Sequence, residues 1–515
     1  MTPRPLAFVA IAAILVVLSS CEPPGKPGAT APVGDATATE PAPEAPDLSR
    51  SVIRVHSTRQ EWNAAQPWEK LPPARRRSLG AVVGHHQVLT TAEMVADATL
   101  IELETSDGLH LAPASVVAVD FAANLALLTV ADEKDAGVLF AGLKPSDLAA
   151  PLPLDAQIAI VQVEDNGNTL VTAGNLLGVD VTAPYLPGEF FLAYRVKASM
   201  QTAASSFTLP VFSRGRFAGI LNTYDSEDQV CEIMPSSVIQ LFLEDAADGA
   251  YAGFPSLGVS VSTTDDPHFR RWLKLPDDGG GIYLSKIRKD GPAAKAGAKE
   301  GDVLMSIDGS EIDRLGYFDH PVFGRLFWSH LVKGSRPHGT EIRLGILRDG
   351  EAMEIKATLE HLDSDDELVP VHIHGRAPRY LVKGGFIFQE LTIPLLSAFG
   401  DEWRDEAPLT LIDPLENPDL YRDRMDRVVV VTGVIPTPAT LGYEALRNLI
   451  VTEVNGKAVR DMASLFSAFK EPQRNGSHQV RFDGQDFPIY LDAATSDLVD
   501  SELLNRGLTR LHRVE

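Results

Sequence analysis

The sequence predicts a mainly β protein with α+β modules, and three observations carry that reading. Between residues 50 and 245, short runs such as LGAVVG, ASVVAVD, NLALLTV, QIAIVQV and RFAGILNTY alternate apolar and polar positions, favour β-branched residues and end at Gly or Asp turns. After residue 251, strand-like runs recur around short helical entries and tight turns, once near Gly291–Gly297 and again in the tail. At 515 residues the chain exceeds what one core supports, so several domains are expected.

Composition narrows the function classes. Lys and Arg total 46 against 70 Asp and Glu, a formal charge of −24, which disfavours nucleic acid as a partner because phosphates require basic patches. The two cysteines, Cys21 and Cys231, build no disulfide framework.

The first 21 residues, MTPRPLAFVAIAAILVVLSSC, join a basic start at Arg4 to an apolar run from Leu6 to Leu18 that is short for a membrane-spanning helix and reads as a signal peptide. The ending Leu18-Ser19-Ser20-Cys21 resembles a bacterial lipobox, which implies lipidation at Cys21 and an envelope protein facing the periplasm or exterior. Residues 22–49 are rich in Pro, Ala, Gly and Thr with few large apolar side chains, the composition of a disordered tether. Cys231 is then expected to be a buried lone thiol.

Residues 50–248 carry more than a β pattern. The order of GAVVGHHQVLTTAEMVADATLIELETSDG, VVAVDFAANLALLTV, LVTAGNLLGV and GRFAGI resembles the trypsin-like domain of the HtrA/Deg serine proteases, which implies a double β-barrel. The family's histidine stretch, Thr-Asn-Asn-His-Val-Val-like, matches Thr90-Thr91-Ala92-Glu93-Met94-Val95, so Glu93 stands at the base. Its Asp-x-x-x-Asp-Leu-Ala-Leu stretch matches Asp120 to Leu127 and puts Asn124 at the orienting aspartate. Counting back from Gly215 puts Ser206 at the nucleophile, whereas anchoring on Pro210-Val211-Phe212 puts Phe207 there, and either register lacks the family's turn glycines. A serine needs a neighbouring base near its working pH, and Asn cannot stabilise a developing imidazolium. Bulky Phe207 and Thr208 resist the turn that aims backbone N–H groups at an oxyanion. The expectation is a degenerate triad at Glu93, Asn124 and Ser206. His85 and His86 lie in a strand-to-strand turn and read as surface.

Residues 249–362 resemble an HtrA-type PDZ domain. A strand over Ile282–Ile287 leads to a helix entered through Pro292, then to Gly301-Asp302 and a tight Asp308-Gly309 turn. The resemblance implies addition of a peptide to a sheet edge, its terminal carboxylate held at Leu257-Gly258-Val259. The stretch 313–339 is longer and more aromatic than the family pattern, with Phe327 and Trp328 as candidates either to cap the groove or to extend the core. Residues 366–515 resemble the second PDZ-like module of the Deg branch, with Gly385 at the corresponding loop ranked low as a site because such modules serve assembly. The echo of LMSIDGSEI in VTEVNGKAV is consistent with two copies of one fold.

No cofactor or metal is expected: the histidines are scattered, and His372 with His374 reads as a solvated strand face. Three functions remain: a membrane-tethered pseudoprotease that binds protein C-termini or unfolded polypeptides, an endopeptidase using Ser206 with a non-standard base, and an oligomeric scaffold. The family implies a homotrimer or a higher oligomer.

Overall fold

The computed structural model describes residues 47–515 except 187, 201–207, 277, 372–374 and 401. Cys21, Ser206, Phe207, His372 and His374 lie outside the described residues.

Two closed six-stranded antiparallel barrels come first. The first uses β1 (Val52–Arg59), β2 (Ala74–Gly84), β3 (Gln87–Thr90), β4 (Ala98–Glu104), β5 (Leu111–Asp120) and β6 (Leu125–Val130) in the order β1-β2-β3-β6-β5-β4. The second uses β7 (Gln157–Val163), β8 (Thr169–Thr182), β9 (Phe191–Lys197), β10 (Leu209–Ser213), β11 (Arg216–Asp225) and β12 (Val230–Pro235) in the order β10-β11-β12-β9-β8-β7. Closure removes sheet edges and lets strands such as β6 and β10 be buried almost throughout. Arg214 and Gly215, at φ +50° and +75°, make the two-residue turn that joins β10 to β11. Cys231 is buried and free, and burial pushes its thiol up to about 12, which keeps it protonated and inert.

The first PDZ module follows. Its sheet runs β13 (Val259–Ser262), β14 (Ile282–Ile287), β15 (Val303–Ile307), then β19 and β20 (Glu341–Arg348 and Glu351–Thr358), with the short β16 (Ser310–Glu311) beside β15. Strand β14, the Pro292-entered helix and the Asp308-Gly309 turn fall where the sequence placed them. The aromatic stretch forms a separate hairpin, β17 (Tyr317–His320) and β18 (Gly324–Phe327). It docks on the second barrel: the Phe323 ring lies 6.3 Å from that of Tyr194, and Lys333 pairs with Glu189. Trp328 is buried in the core these parts share, so the insertion fastens module to barrel and leaves the groove uncapped.

The second module has an eight-stranded sheet from β21 (Tyr380–Lys383), β22 (Phe386–Glu390), β23 (Val429–Val434), β24 (Leu449–Val454), β25 (Lys457–Ala458), β26 (Ser477–Phe482), β27 (Ile489–Asp492) and β28 (His512–Arg513). The order is β27-β26-β24-β23-β22-β21-β28, with β25 beside β24. The helix Met462–Phe469, opened by an Asp461–Ser464 capping box, lies over one apolar cluster. The helix Leu409–Glu416 belongs to another.

His330, in the turn after β18, is 7% exposed, and its Nδ1 has no hydrogen-bond partner among the described residues. Burial, with the nearby His320 adding to it, pushes its pKa down to about 4. Unfolding returns it to about 6.5. The unfolded chain therefore binds a proton that the folded chain refuses between pH 6.5 and 4, and stability falls as pH falls through that window by roughly 3 kcal/mol. Thermal unfolding followed across this range is expected to be steeper for the natural chain than for His330→Leu.

Candidate functional site

The end of β3 carries the first candidate position. Glu93 lies in a 3₁₀ turn, Ala92–Met94, and its carboxylate is ion-paired with the Arg76 guanidinium of β2. One carboxylate oxygen, Oε1, is thus held by a cation. Arg59, Arg76, Asp97 and Tyr185 share this electrostatic environment, and burial, then the Glu93 charge, raises the Tyr185 phenol. Asn124 is 2% exposed and sits at φ +55°, a left-handed conformation that asparagine tolerates better than most residues. Its Oδ1 accepts the Glu93 backbone N–H at 3.0 Å, and its Nδ2 donates to Asn222 Oδ1 at 3.4 Å. Asn124 thereby links the Glu93 backbone to the Asn222 side chain of the second barrel through an uncharged amide.

Thr208, just after the stretch containing Ser206, is fully packed. Its hydroxyl meets that of Thr91 at 2.8 Å, and its carbonyl accepts the Leu79 N–H at 3.2 Å. The structure brings Glu93, Asn124 and Thr208 onto the facing sides of the two barrels, through links that serve packing and hydrogen bonding. His85 and His86 stack on each other at 3.8 Å, with His86 at φ +57° in the β2–β3 turn.

The first PDZ loop turns on a glycine and leads into a strand at the end of its sheet. Gly258 adopts φ +70°, its N–H donates to Ser256 Oγ at 3.2 Å, and its carbonyl accepts the Arg288 N–H at 2.8 Å. A Cβ there would approach Leu362 Cδ1 at 3.0 Å and Gly291 Cα at 3.3 Å, so both the torsion and the space call for glycine. The Leu257 carbonyl accepts the Ala293 N–H at 3.1 Å, which fixes the loop to the Pro292–Lys295 helix. Strand β13, which continues from this loop, is an end strand of its sheet and pairs with β14 on one side. A cavity of about 860 Å³ opens beside Gly258, Val259 and Ser260.

The second loop differs. Strand β22, which follows Gly384-Gly385, lies between β21 and β23 and offers no edge for a further strand. The loop already holds a carboxylate from its own module: Asp500 Oδ1 accepts the Gly384 N–H at 2.7 Å, and Asp500 Oδ2 accepts Lys383 Nζ at 2.9 Å. Burial raises the Asp500 carboxyl against the pull of Lys383. Nothing in the local sequence around Gly385 announced Asp500, which comes from a helix more than a hundred residues along the chain.

Two PDZ-domain family models match the chain, over residues 255–359 and 369–508. With two closed barrels before them, the architecture is settled. The chain joins a trypsin-like double barrel to two PDZ domains, and the relatives it resembles are Do-like and DegP proteases. It is 26% identical over 423 residues to the chloroplast protein Protease Do-like 2 of Arabidopsis thaliana, covering 81% of this chain and 67% of that relative. It is 25% identical over 278 residues to the periplasmic serine endoprotease DegP of Salmonella typhimurium, covering 53% of this chain and 54% of that one. Among solved structures, the HtrA-type protease AlgW with decapeptide superposes at a TM-score of 0.44 and 19% identity, covering 61% of this chain and 97% of that one.

Within the first barrel, the half-buried Arg76–Glu93 pair is worth at most about 1 kcal/mol, so Glu93→Gln should leave the unfolding midpoint nearly unchanged. Asp500→Ala leaves Lys383 paired with Asp497 alone and strips the buried Gly384 N–H of its acceptor. Chemical denaturation should show a loss of about 2 kcal/mol for that variant.

Proposed function

We propose that this chain is a membrane-tethered HtrA/Deg-like pseudoprotease that binds the C-termini or unfolded segments of envelope proteins through its first PDZ module, as an adaptor, sensor or quality-control factor. The observation that carries the reading is the Glu93 and Asn124 pair: the residue at the base position is held by Arg76, and the residue at the orienting position is an amide bonded to backbone. In a serine triad the change from aspartate to asparagine alone lowers turnover by about 10⁴. Leu257, Gly258 and Val259 are the proposed carboxylate loop, because β13 is an edge strand whereas β22 is not. The second module, its loop filled by Asp500, suits a structural role. The lipobox-like ending at Cys21 supports the tether, and family likeness supports an oligomer.

The full chain and its Ser206→Ala variant should both leave casein intact at concentrations where an active relative digests it. Cleavage lost in the variant would establish the endopeptidase instead. Gly258→Pro forces φ from +70° toward −65° and should weaken binding of an apolar C-terminal peptide at least tenfold, read by fluorescence anisotropy. Cys21→Ser should move the protein from the membrane to the soluble fraction.

A further inference from the structure

The cavity beside Gly258 is not bounded by the first module alone. Val259 and Ser260 of β13 and Lys286 of β14 line one side, while Leu415, Pro418 and Arg422 of the second module line the other. The two sides are tied together by a carboxylate: Glu367 Oε1 accepts Arg288 Nη1 at 2.7 Å, and Glu367 Oε2 accepts Arg422 Nη2 at 2.6 Å. Lys286 Nζ donates to the Glu416 carbonyl at the C-terminal end of the helix Leu409–Glu416, where a cation is favoured.

We propose that the second PDZ module completes the peptide groove of the first, and that Lys286, which the second module holds in place, selects ligands with an acidic side chain at the penultimate position. This rests on reading Leu257-Gly258-Val259 as the carboxylate loop. With the terminal carboxylate there, a peptide antiparallel to β13 sets its last residue opposite Val259 and its penultimate residue opposite Ser260. Ser260 pairs directly with Lys286, so all three side chains share one face of the sheet. Two strand spacings, about 10 Å, separate the penultimate backbone from that of Lys286, and a lysine and a carboxylate side chain bridge this span above the small serine. An ammonium has three donors, of which Glu416 takes one. Arg288 and Arg422 are spent on Glu367, whereas Lys286 and Lys289 have no carboxylate partner among the described residues. In a chain of net charge −24, Lys286 on β14 and Lys289 just beyond its end line the cavity beside the edge strand and form a local site for an anionic side chain.

The experiment uses the full chain and fluorescent decapeptides that end in valine and carry Glu, Gln or Lys before it. Partly exposed ion pairs predict that the Glu peptide binds about fivefold tighter than the Lys peptide. Lys286→Met should abolish that preference while the Gln peptide still binds, and Lys286→Glu should invert it. Asp419→Lys, an exposed change on the second module's side of the cavity, should tighten the Glu peptide by about threefold. Equal binding of the three free-acid peptides, with binding lost when their C-termini are amidated, would overturn the Lys286 assignment and leave the carboxylate loop standing. A preference that survives Lys286→Met would also overturn it. No effect of Asp419→Lys would overturn the second module's part in the groove. Binding indifferent to amidation, or no binding at all, would overturn this inference together with the carboxylate-loop reading beneath it.

Discussion

Phe254 packs edge-on against Phe191 of the second barrel, with ring centroids 5.0 Å apart, and the rest of the arrangement depends on that contact. It lies in a single apolar cluster that runs from Leu89 and Leu127 in the first barrel, through Phe212 and Phe242, into Ile282, Leu304 and Leu344 of the first PDZ sheet. A shared core of this kind cannot slide as a polar domain interface can, because separating its halves exposes large aromatic and aliphatic surfaces to water. Polar contacts fix the angle. Tyr251, whose phenol is held far above its usual range by burial and the neighbouring Asp120 charge, donates to Asp120 at 2.7 Å. Asp245 accepts the Gly253 N–H at 2.9 Å. The loop at Gly258 begins only a few residues later, so its position relative to the barrels is set by these contacts.

The same rigidity extends to the junction between the two barrels. Barrel closure, the Thr91–Thr208 clasp and the Asn124 hydrogen bonds are stabilising whether or not a base is present. Glu93 is placed by the 3₁₀ turn and engaged by Arg76 across the β2–β3 turn, an ion pair with no requirement for a nucleophile nearby. Fold and chemistry are therefore separable here: the fold rests on apolar burial and on hydrogen bonds that need neither a base nor a nucleophile.

Much of the fold was legible because its signals are local. Alternation marked the barrel strands, the Gly291-Pro292 entry marked a helix start, and Asp308-Gly309 marked a turn with both residues at positive φ. What was not legible depends on distant partners. No local pattern says that His512–Arg513 will pair with β21 and cover its outer edge, or that Asp500 will reach Gly384. The role of 313–339 stayed open for the same reason: Phe327 and Trp328 look alike in sequence whether they cap a groove or bury against a barrel. Glu367, Lys286 and Glu416 read as ordinary surface charges until folding brings the two modules together.

The most direct measurement is labelling of the full chain with a fluorophosphonate, which forms a bond only with a serine whose hydroxyl is activated and whose developing oxyanion is stabilised. With Glu93 held by Arg76 and Asn124 bonded to backbone, no stoichiometric adduct at Ser206 is predicted by mass spectrometry under conditions that fully label an active relative. A stoichiometric Ser206 adduct would contradict the reading and require a base that these residues do not supply.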